Sequence, residues 1–484
     1  MAEDDMLPLL GFELDGGHNS DDSGDEDDDD EIELEEEPQD FPPTDMAEGN
    51  AEAGGDESKK KSDKDEKKKK KERRGSEVNY DRSLPAAHSY LGSDLEELHG
   101  RTIHDDDSYQ SLPLLSLPGV VLVPGQTLPL HIFQQQIVSM IRHCVNTDKT
   151  FGLVNSRYLS DDFVPTLANI GTTAEILSLK EDSDDATGIS EVKMKAIGRQ
   201  RFRVMETRRQ TDGVVMAQVR ILPEKVLSEC LFGARPQSQC KCCFLEPVKK
   251  REVVQSVAVN RSGNYFTYPS STKRRKIDRF TAADVTWWPP WVYRQYDVIY
   301  LMESMKNELT SWNDTIQGDR MPQDPVEFSF WVAGNLPLDD SMKLRLLQID
   351  NAVQRLRCEL SIMQKCTKLC CRECGHHIAN KNDVFTLSLE GPMGTFVNPG
   401  GYVHETLTVF KAQGLTFIGR PSTEHSWFPG YAWTILQCRH CASHMGWKFT
   451  AHKKKLKPDK FFGLTRTAII PGLDNQEHEW MPSI

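Results

Sequence analysis

Two cysteine pairs place the strongest constraint on how this chain can fold. Cys371-Arg-Glu-Cys374 and Cys438-Arg-His-Cys441 each set two thiolates on one tight turn, and 63 residues lie between Cys374 and Cys438. Two such turns brought together give a closed tetrahedral set of four sulfurs, the donor set that Zn2+ favours. A gap this long means that the metal clamps the two ends of a small domain instead of folding an isolated finger. Thiolate-bound structural zinc contributes roughly 10 kcal/mol or more to a domain too small to be secure on its core alone. Cys370, His376 and His377 stand beside the first pair as alternative ligands. Four free structural thiols in a reducing cell are the plainer alternative.

Three tryptophans lie between and just after these pairs: Trp427 and Trp433 in His425-Ser-Trp-Phe-Pro-Gly-Tyr-Ala-Trp433, and Trp447 in Gly446-Trp-Lys-Phe449. One reading is a tryptophan-rich β core. Against it, each buried indole N–H needs an acceptor, so three indoles fill a small core poorly. Pro429-Gly430 also interrupts the run, so Trp427 and Trp433 flank a turn and can face each other across a gap. Three indole walls make a flat-sided apolar cage suited to a small planar ring or a cation.

The stretch Gly419-Arg-Pro-Ser-Thr-Glu-His-Ser-Trp-Phe-Pro-Gly-Tyr-Ala-Trp433 closely resembles the thalidomide-binding domain of the cereblon family. So do Gly401-Tyr-Val-His-Glu-Thr-Leu-Thr408 before it and Cys441-Ala-Ser-His-Met-Gly-Trp-Lys-Phe449 after it. The resemblance implies that Trp427, Trp433 and Trp447 enclose a glutarimide or succinimide ring. It implies that the backbone around His425, Ser426 and Trp427 hydrogen-bonds the imide, with Asn398, Pro399 and Phe449 at the rim. It implies one structural zinc on Cys371, Cys374, Cys438 and Cys441. The chemistry agrees, because a cyclic imide has two flat apolar faces and an edge of acceptor, donor and acceptor. Two positions depart from the family pattern: Gly400 stands beside the pocket asparagine where a histidine is common, and Ile435 where some relatives have valine.

The rest of the chain is expected to be α+β. Residues 1–78 carry an acidic run, Asp21 to Glu37, and a basic run, Lys59 to Arg74, with too few apolar residues to offset chain entropy; a disordered tail is expected. Residues 79–109 form an extended segment without chemistry of its own, in which His104 with Asp105 to Asp107 reads as an exposed loop. Residues 110–222 carry short apolar runs broken by Pro and Gly, and period-2 stretches at 173–179, 189–197, 201–205 and 214–222, the pattern of a β domain. Gly171-Thr-Thr-Ala-Glu-Ile176 and Ile197-Gly-Arg-Gln-Arg-Phe202 resemble the N-terminal domain of Lon proteases. No GxxxxGK[ST] phosphate loop occurs, so ATP-driven proteolysis has no engine here.

Residues 223–366 are expected to be mainly helical, with helices at 297–309 and over the long stretch Asp339 to Met363. The family resemblance implies docking of this part onto the DNA-damage-binding β-propeller adaptor of a cullin-4 RING ubiquitin ligase, and through it onto cullin-4 and the RING subunit. An atypical insertion near 230–283 carries Cys240-Lys-Cys-Cys243 and Lys273-Arg-Arg-Lys276 and departs from the family pattern. Trp288-Pro-Pro-Trp-Val-Tyr293 reads as packing. The ligand domain covers 367–475, with a tail at 476–484.

Three functional classes follow. The first is a non-catalytic substrate receptor that takes proteins with cyclic imide ends and thalidomide-type drugs, in cytoplasm and nucleus; Lys67 to Arg74 reads equally as an import signal or a solubilising run. A zinc-stabilised binding module without a ligase role is its weaker form. The second is an enzyme like the B-type methionine sulfoxide reductases, but these need a nucleophilic cysteine outside the metal site. None occurs between Cys374 and Cys438 or after Cys441. The third is a nucleic-acid binder using Lys453 to Lys455, disfavoured because Glu405 and Glu424 flank the cage and no basic stripe is present. No signal peptide and no membrane span are expected, since no apolar run approaches ~20 residues.

Overall fold

The computed structural model describes residues 78–100, 102–157, 166–183, 190–227, 258–259, 265–266, 290–316 and 321–473. The charged runs before residue 78, the Cys240–Cys243 and Lys273–Lys276 motifs, Trp288, Ile189 and the tail 476–484 lie outside them, as does nearly all of 230–283. Among the described residues no helix is long and apolar enough to cross a membrane.

The chain opens with a short helix, α1 (Ser83–Ala87), and then builds a seven-stranded sheet: β1 (Glu96–Glu97), β2 (Tyr109–Pro118), β3 (Thr127–Ile132), β4 (Thr150–Arg157), β5 (Thr166–Ser183), β6 (Ser190–Arg209) and β7 (Val215–Ile221). The order is β1-β5-β4-β2-β7-β6-β3, and β5 also pairs with β6, turning the sheet back on itself. Alternation drives these strands: in β6, Val192, Met194, Ala196 and Phe202 point inward. One helix, α2 (Gln135–Asn146), packs Val138, Ile141 and Cys144 on this core. Sequence reasoning takes this region as β-rich and misses α2, although Ile137, Val138, Ile141, Cys144 and Val145 recur at helical spacing within it.

After two two-residue strands, β8 (Ala258–Val259) and β9 (Tyr265–Phe266), comes the helical layer: α3 (Pro290–Arg294), α4 (Val298–Trp312), α5 (Pro325–Asn335), α6 (Asp340–Gln348) and α7 (Ala352–Lys365). The single long helix expected over Asp339 to Met363 is two. Asp339 caps α6, accepting from the Met342 N–H, but α6 stops at Ile349, and Asn351 caps a new helix by accepting from Gln354 N–H. The Asn351 side-chain oxygen satisfies an orphan N–H of the new helix, which ends one helix and starts the next without disturbing the apolar spacing. Leu346, Val353, Leu356 and Met363 are buried as that spacing requires.

The C-terminal part is all β. One sheet has order β11-β10-β18: β10 (Cys366–Cys371), β11 (His377–Asn380) and β18 (Ile469–Leu473). The other runs β12-β13-β17-β16-β15-β14: β12 (Met393–Val397), β13 (Val403–Val409), β14 (Leu415–Ser422), β15 (Tyr431–Cys438), β16 (His444–Ala451) and β17 (Lys460–Thr465). One apolar cluster runs from Val121 and Val123 through the helices to Leu407, Leu436 and Leu464, so the helical layer is packed on both sides.

Candidate functional site

The two cysteine pairs sit where two sheets approach. Cys371 ends β10, Cys438 ends β15, and Cys374 and Cys441 follow on matching turns. In each turn the amide of the first cysteine closes a hairpin on the carbonyl just before the next strand, Cys371 N–H to His376 O and Cys438 N–H to Ser443 O. The residue after each second cysteine is left-handed, Gly375 at φ 69° and Ala442 at φ 59°. All four sulfurs lie within 4.8 Å of one another, with Cys371–Cys441 and Cys374–Cys438 at 3.6 Å. A tetrahedron of sulfurs about 2.3 Å from zinc has edges of about 3.8 Å, so the cluster fits one structural zinc. The Ser443 hydroxyl, 3.2 Å from the Cys441 sulfur, and the Ser443 backbone lower that thiol to about 6, whereas burial pushes the Cys371 thiol up to about 12. The alternative ligands are placed elsewhere. The Cys370 side chain leaves β10 on the other face, His376 packs against His440, and His377 bonds Gln413 and the Ala379 carbonyl.

The tryptophans border an aromatic core that includes Phe396, Phe428, Tyr431, Phe449 and Phe461. Trp427, carried by the loop between β14 and β15, is 6% exposed; one face stacks on Phe396 (5.1 Å, 9°) and its N–H donates to the Val397 carbonyl. Trp447 on β16 stands nearly perpendicular to it, 4.6 Å away at 74°. Trp433 on β15 is half-buried, and its N–H donates to the Glu424 carbonyl at 2.7 Å, pinning the loop. Trp433 makes no ring contact with the other two among the described residues; the structure brings Trp427 and Trp447 together and leaves Trp433 as a separate wall. The core reading and the cage reading thus divide the residues: Trp427 serves the core, while Trp433 and Trp447 edge it.

The other predicted residues fall around this border. Asn398, Pro399, Gly400 and Gly401 turn β12 into β13, held by Asn398 Oδ1 accepting from Tyr402 N–H at 2.8 Å. His425 is exposed and left-handed at φ 50°, and the Ser426 hydroxyl donates to the Phe428 carbonyl. Phe449, expected at the rim, is 1% exposed: it pairs across the ladder with Trp433 and stacks on Phe461, so it lies beneath the border. Glu405, expected to flank the cage, points the other way. Strand alternation sends His404 toward Trp427 and Trp447 and buries Glu405 against Lys343 and Arg466.

Sequence reasoning missed two imidazoles. His404 and His444 each meet the Trp447 ring edge-on at 5.0 Å. Burial lowers both, His404 to about 4, so they are neutral at pH 7. It also missed Tyr80 and Tyr90, which bring the segment before the β domain into this aromatic core; Tyr90 accepts from the Val397 N–H.

A curled β domain with its helices, joined to a four-cysteine β domain, defines a two-module protein of Lon-like and zinc-binding type. Residues 111–365 match the family described as ATP-dependent protease La (LON) substrate-binding domain. Residues 367–476 match the family described as Yippee zinc-binding/DNA-binding/Mis18, centromere assembly. The chain is 49% identical to Protein cereblon of Gallus gallus over 83% of its own length and 87% of that protein, and 50% identical to Protein cereblon of Xenopus tropicalis over 81% and 85%. Among solved structures, a Lon N-terminal domain protein from Xanthomonas campestris is similar at 20% identity and a TM-score of 0.28, covering 52% of this chain and 98% of that one. The chain belongs to the cereblon family.

Proposed function

We propose that this chain is a non-catalytic substrate receptor of a cullin-4 RING ubiquitin ligase, and that its tryptophan border holds cyclic imides, both as modified protein ends and as thalidomide-type drugs. The observation that carries this is the state of the indoles. The N–H groups of Trp427 and Trp433 are spent on the Val397 and Glu424 carbonyls, so what these rings offer a ligand is their faces. The backbone N–H groups of His425 and Trp427, by contrast, have no acceptor among the described residues, which suits an imide edge. His425 holds a left-handed backbone at the lip of the loop, a strain of about 1–3 kcal/mol of the kind that gathers at binding sites. Asn398 and Pro399 would form the rim, Ser426 the loop between the two donors, and Phe449 the floor. In this scheme the helical part docks on the β-propeller adaptor, ubiquitin chemistry takes place on other subunits, and the protein works in cytoplasm and nucleus.

The test is a glutarimide titration of the full chain followed by tryptophan fluorescence, beside a pull-down of the adaptor. Saturable quenching that is lost in Trp433→Ala, from protein carrying one zinc, supports the ligand assignment. A zinc-loaded protein that gives no response would show that the tryptophans only pack, and adaptor capture would then have to be explained without imide recognition.

A further inference from the structure

A cleft of about 550 Å3 opens where three parts of the molecule meet. Its walls are the turn 123–127 and the β6 backbone of the β domain, the Phe330 and Trp331 face of α5, and the segment 389–395 that leads into β12. This volume is that of a small-molecule site, and such sites favour junctions between domains. None of the tryptophans of the imide border lines it.

The charges in the cleft are unequally matched. Arg199 is committed to Glu175 at 2.5 Å. Arg201 is committed to Glu224 at 2.9 Å and to the carbonyls of Leu347 and Ile349. Glu390 has no such partner. Its carboxyl accepts from the Thr127 hydroxyl, and among the described residues no cation pairs with it. The indole N–H of Trp331 and the amide of Asn335 both donate to the Glu390 carbonyl, at 2.8 and 3.2 Å, so its backbone is fixed in the wall. Burial pushes this carboxyl up, as expected of a desolvated acid that lacks a counter-ion. The Trp331 ring stands beside it, and aromatic faces attract cations; the Phe330 ring is already covered by the Arg355 and Arg201 guanidiniums, 3.9 and 5.7 Å from its centre.

We propose that this cleft is a ligand site for a small organic ammonium, with the protonated amine on the Glu390 carboxylate and the apolar body against Trp331. The amine supplies the charge that the fold leaves out, and the indole supplies the apolar area.

The test uses the full chain, with 2-phenylethylammonium as the probe and 2-phenylethanol as its neutral counterpart, read by ligand-observed NMR. The ammonium should bind saturably, and at least about tenfold more tightly than the alcohol. Glu390→Gln should weaken the ammonium by at least about tenfold and leave the alcohol unchanged. Excess glutarimide should not displace it, and Trp433→Ala should bind it normally, since the imide border could itself attract a cation. Equal binding of the two probes, an ammonium unaffected by Glu390→Gln, or displacement by glutarimide would each overturn the proposal. The comparison of the two probes on the unmodified chain needs no variant to fold.

Discussion

Glu405→Gln should be among the most damaging conservative changes in this protein. Glu405 and its partners are almost wholly buried: the Lys343 and Arg466 side chains are 0% exposed and that of Glu405 is 2%. Lys343 sits on α6, Glu405 on β13, and Arg466 just after β17; Gln126 of the β domain donates to the same carboxylate. Arg466 also reaches Asp340 and the Gly119 carbonyl. The cluster therefore joins the β domain, the helices and the zinc domain at one carboxylate. Burial alone would raise Glu405, but the Arg466 and Lys343 cations overcome it and hold the acid at about 2. A carboxyl lowered from 4.5 to about 2 contributes roughly 3 kcal/mol at neutral pH. Removing one member of a buried ion pair costs about 3–5 kcal/mol by mutation, because the remaining charge is left unpaired. Both routes give a similar figure, which corresponds to a melting point lower by roughly 6–12 °C. The sign with pH is set by the lowered value: the contribution is complete above about 4.5 and is lost as pH falls toward 2. The assay is thermal unfolding of wild type and variant at pH 7 and again near pH 3. Adding Lys343→Met to Glu405→Gln should restore part of the loss, since the orphaned cation is gone. A loss below about 1 kcal/mol at pH 7, a gap that does not narrow with acid, or strictly additive losses in the double variant would refute the reasoning.

Three further outcomes can be measured on the same protein. Burial lowers His88 and His404 to about 4, so the unfolded chain, with histidines near 6.5, takes up protons that the folded chain excludes; stability should fall as pH drops from about 6.5 to 4, on the order of 2 kcal/mol per histidine at pH 5, and Asn in place of His404 should flatten that slope. Glutarimide affinity should weaken in the same window, because a protonated His404 would stand against Trp427 and Trp447. Ala442→Gly should raise the melting point of the zinc-loaded protein by about 1 kcal/mol worth of stability, since Ala442 holds the left-handed conformation that its counterpart Gly375 adopts freely; an unchanged or lower melting point would count against this. Gly401→Ala should cost more than about 1 kcal/mol and weaken imide binding, because φ is 82° and a Cβ would come within 2.7 Å of the His131 carbonyl, whereas Gly400→Ala meets nothing closer than 3.4 Å and should be nearly neutral.

What the sequence disclosed and what it withheld follow a physical division. The zinc set was legible because a CxxC turn states its chemistry within four residues, and the matching turns at Cys371 and Cys438 needed only to be brought together. The β domain was legible from alternation, as in the first half of β6, where every second residue from Ser190 to Gly198 is buried. The split between α6 and α7 was written in Asp350-Asn351, but apolar spacing that runs through the break conceals it. His404 and Glu405 show the limit more sharply. They are neighbours in one strand, and the pleat alone says that they face opposite ways; which face meets the tryptophans depends on pairing with β12 and β17, and so on residues far along the chain. Lys343 and Arg466 are 62 and 61 residues from Glu405 in opposite directions, and no local pattern announces a charge cluster assembled over that span. Glu390 is the extreme case. In sequence it is one acid between Leu389 and Gly391, with nothing periodic about it. Its isolation from any cation among the described residues is a property of the cleft, since the β6 arginines that line it are already held by other acids, Arg199 by Glu175 and Arg201 by Glu224. An unmatched charge can be recognised only after all the matched ones have been placed, and for that reason the four zinc-binding cysteines could be anticipated from the chain while the Glu390 cleft could not.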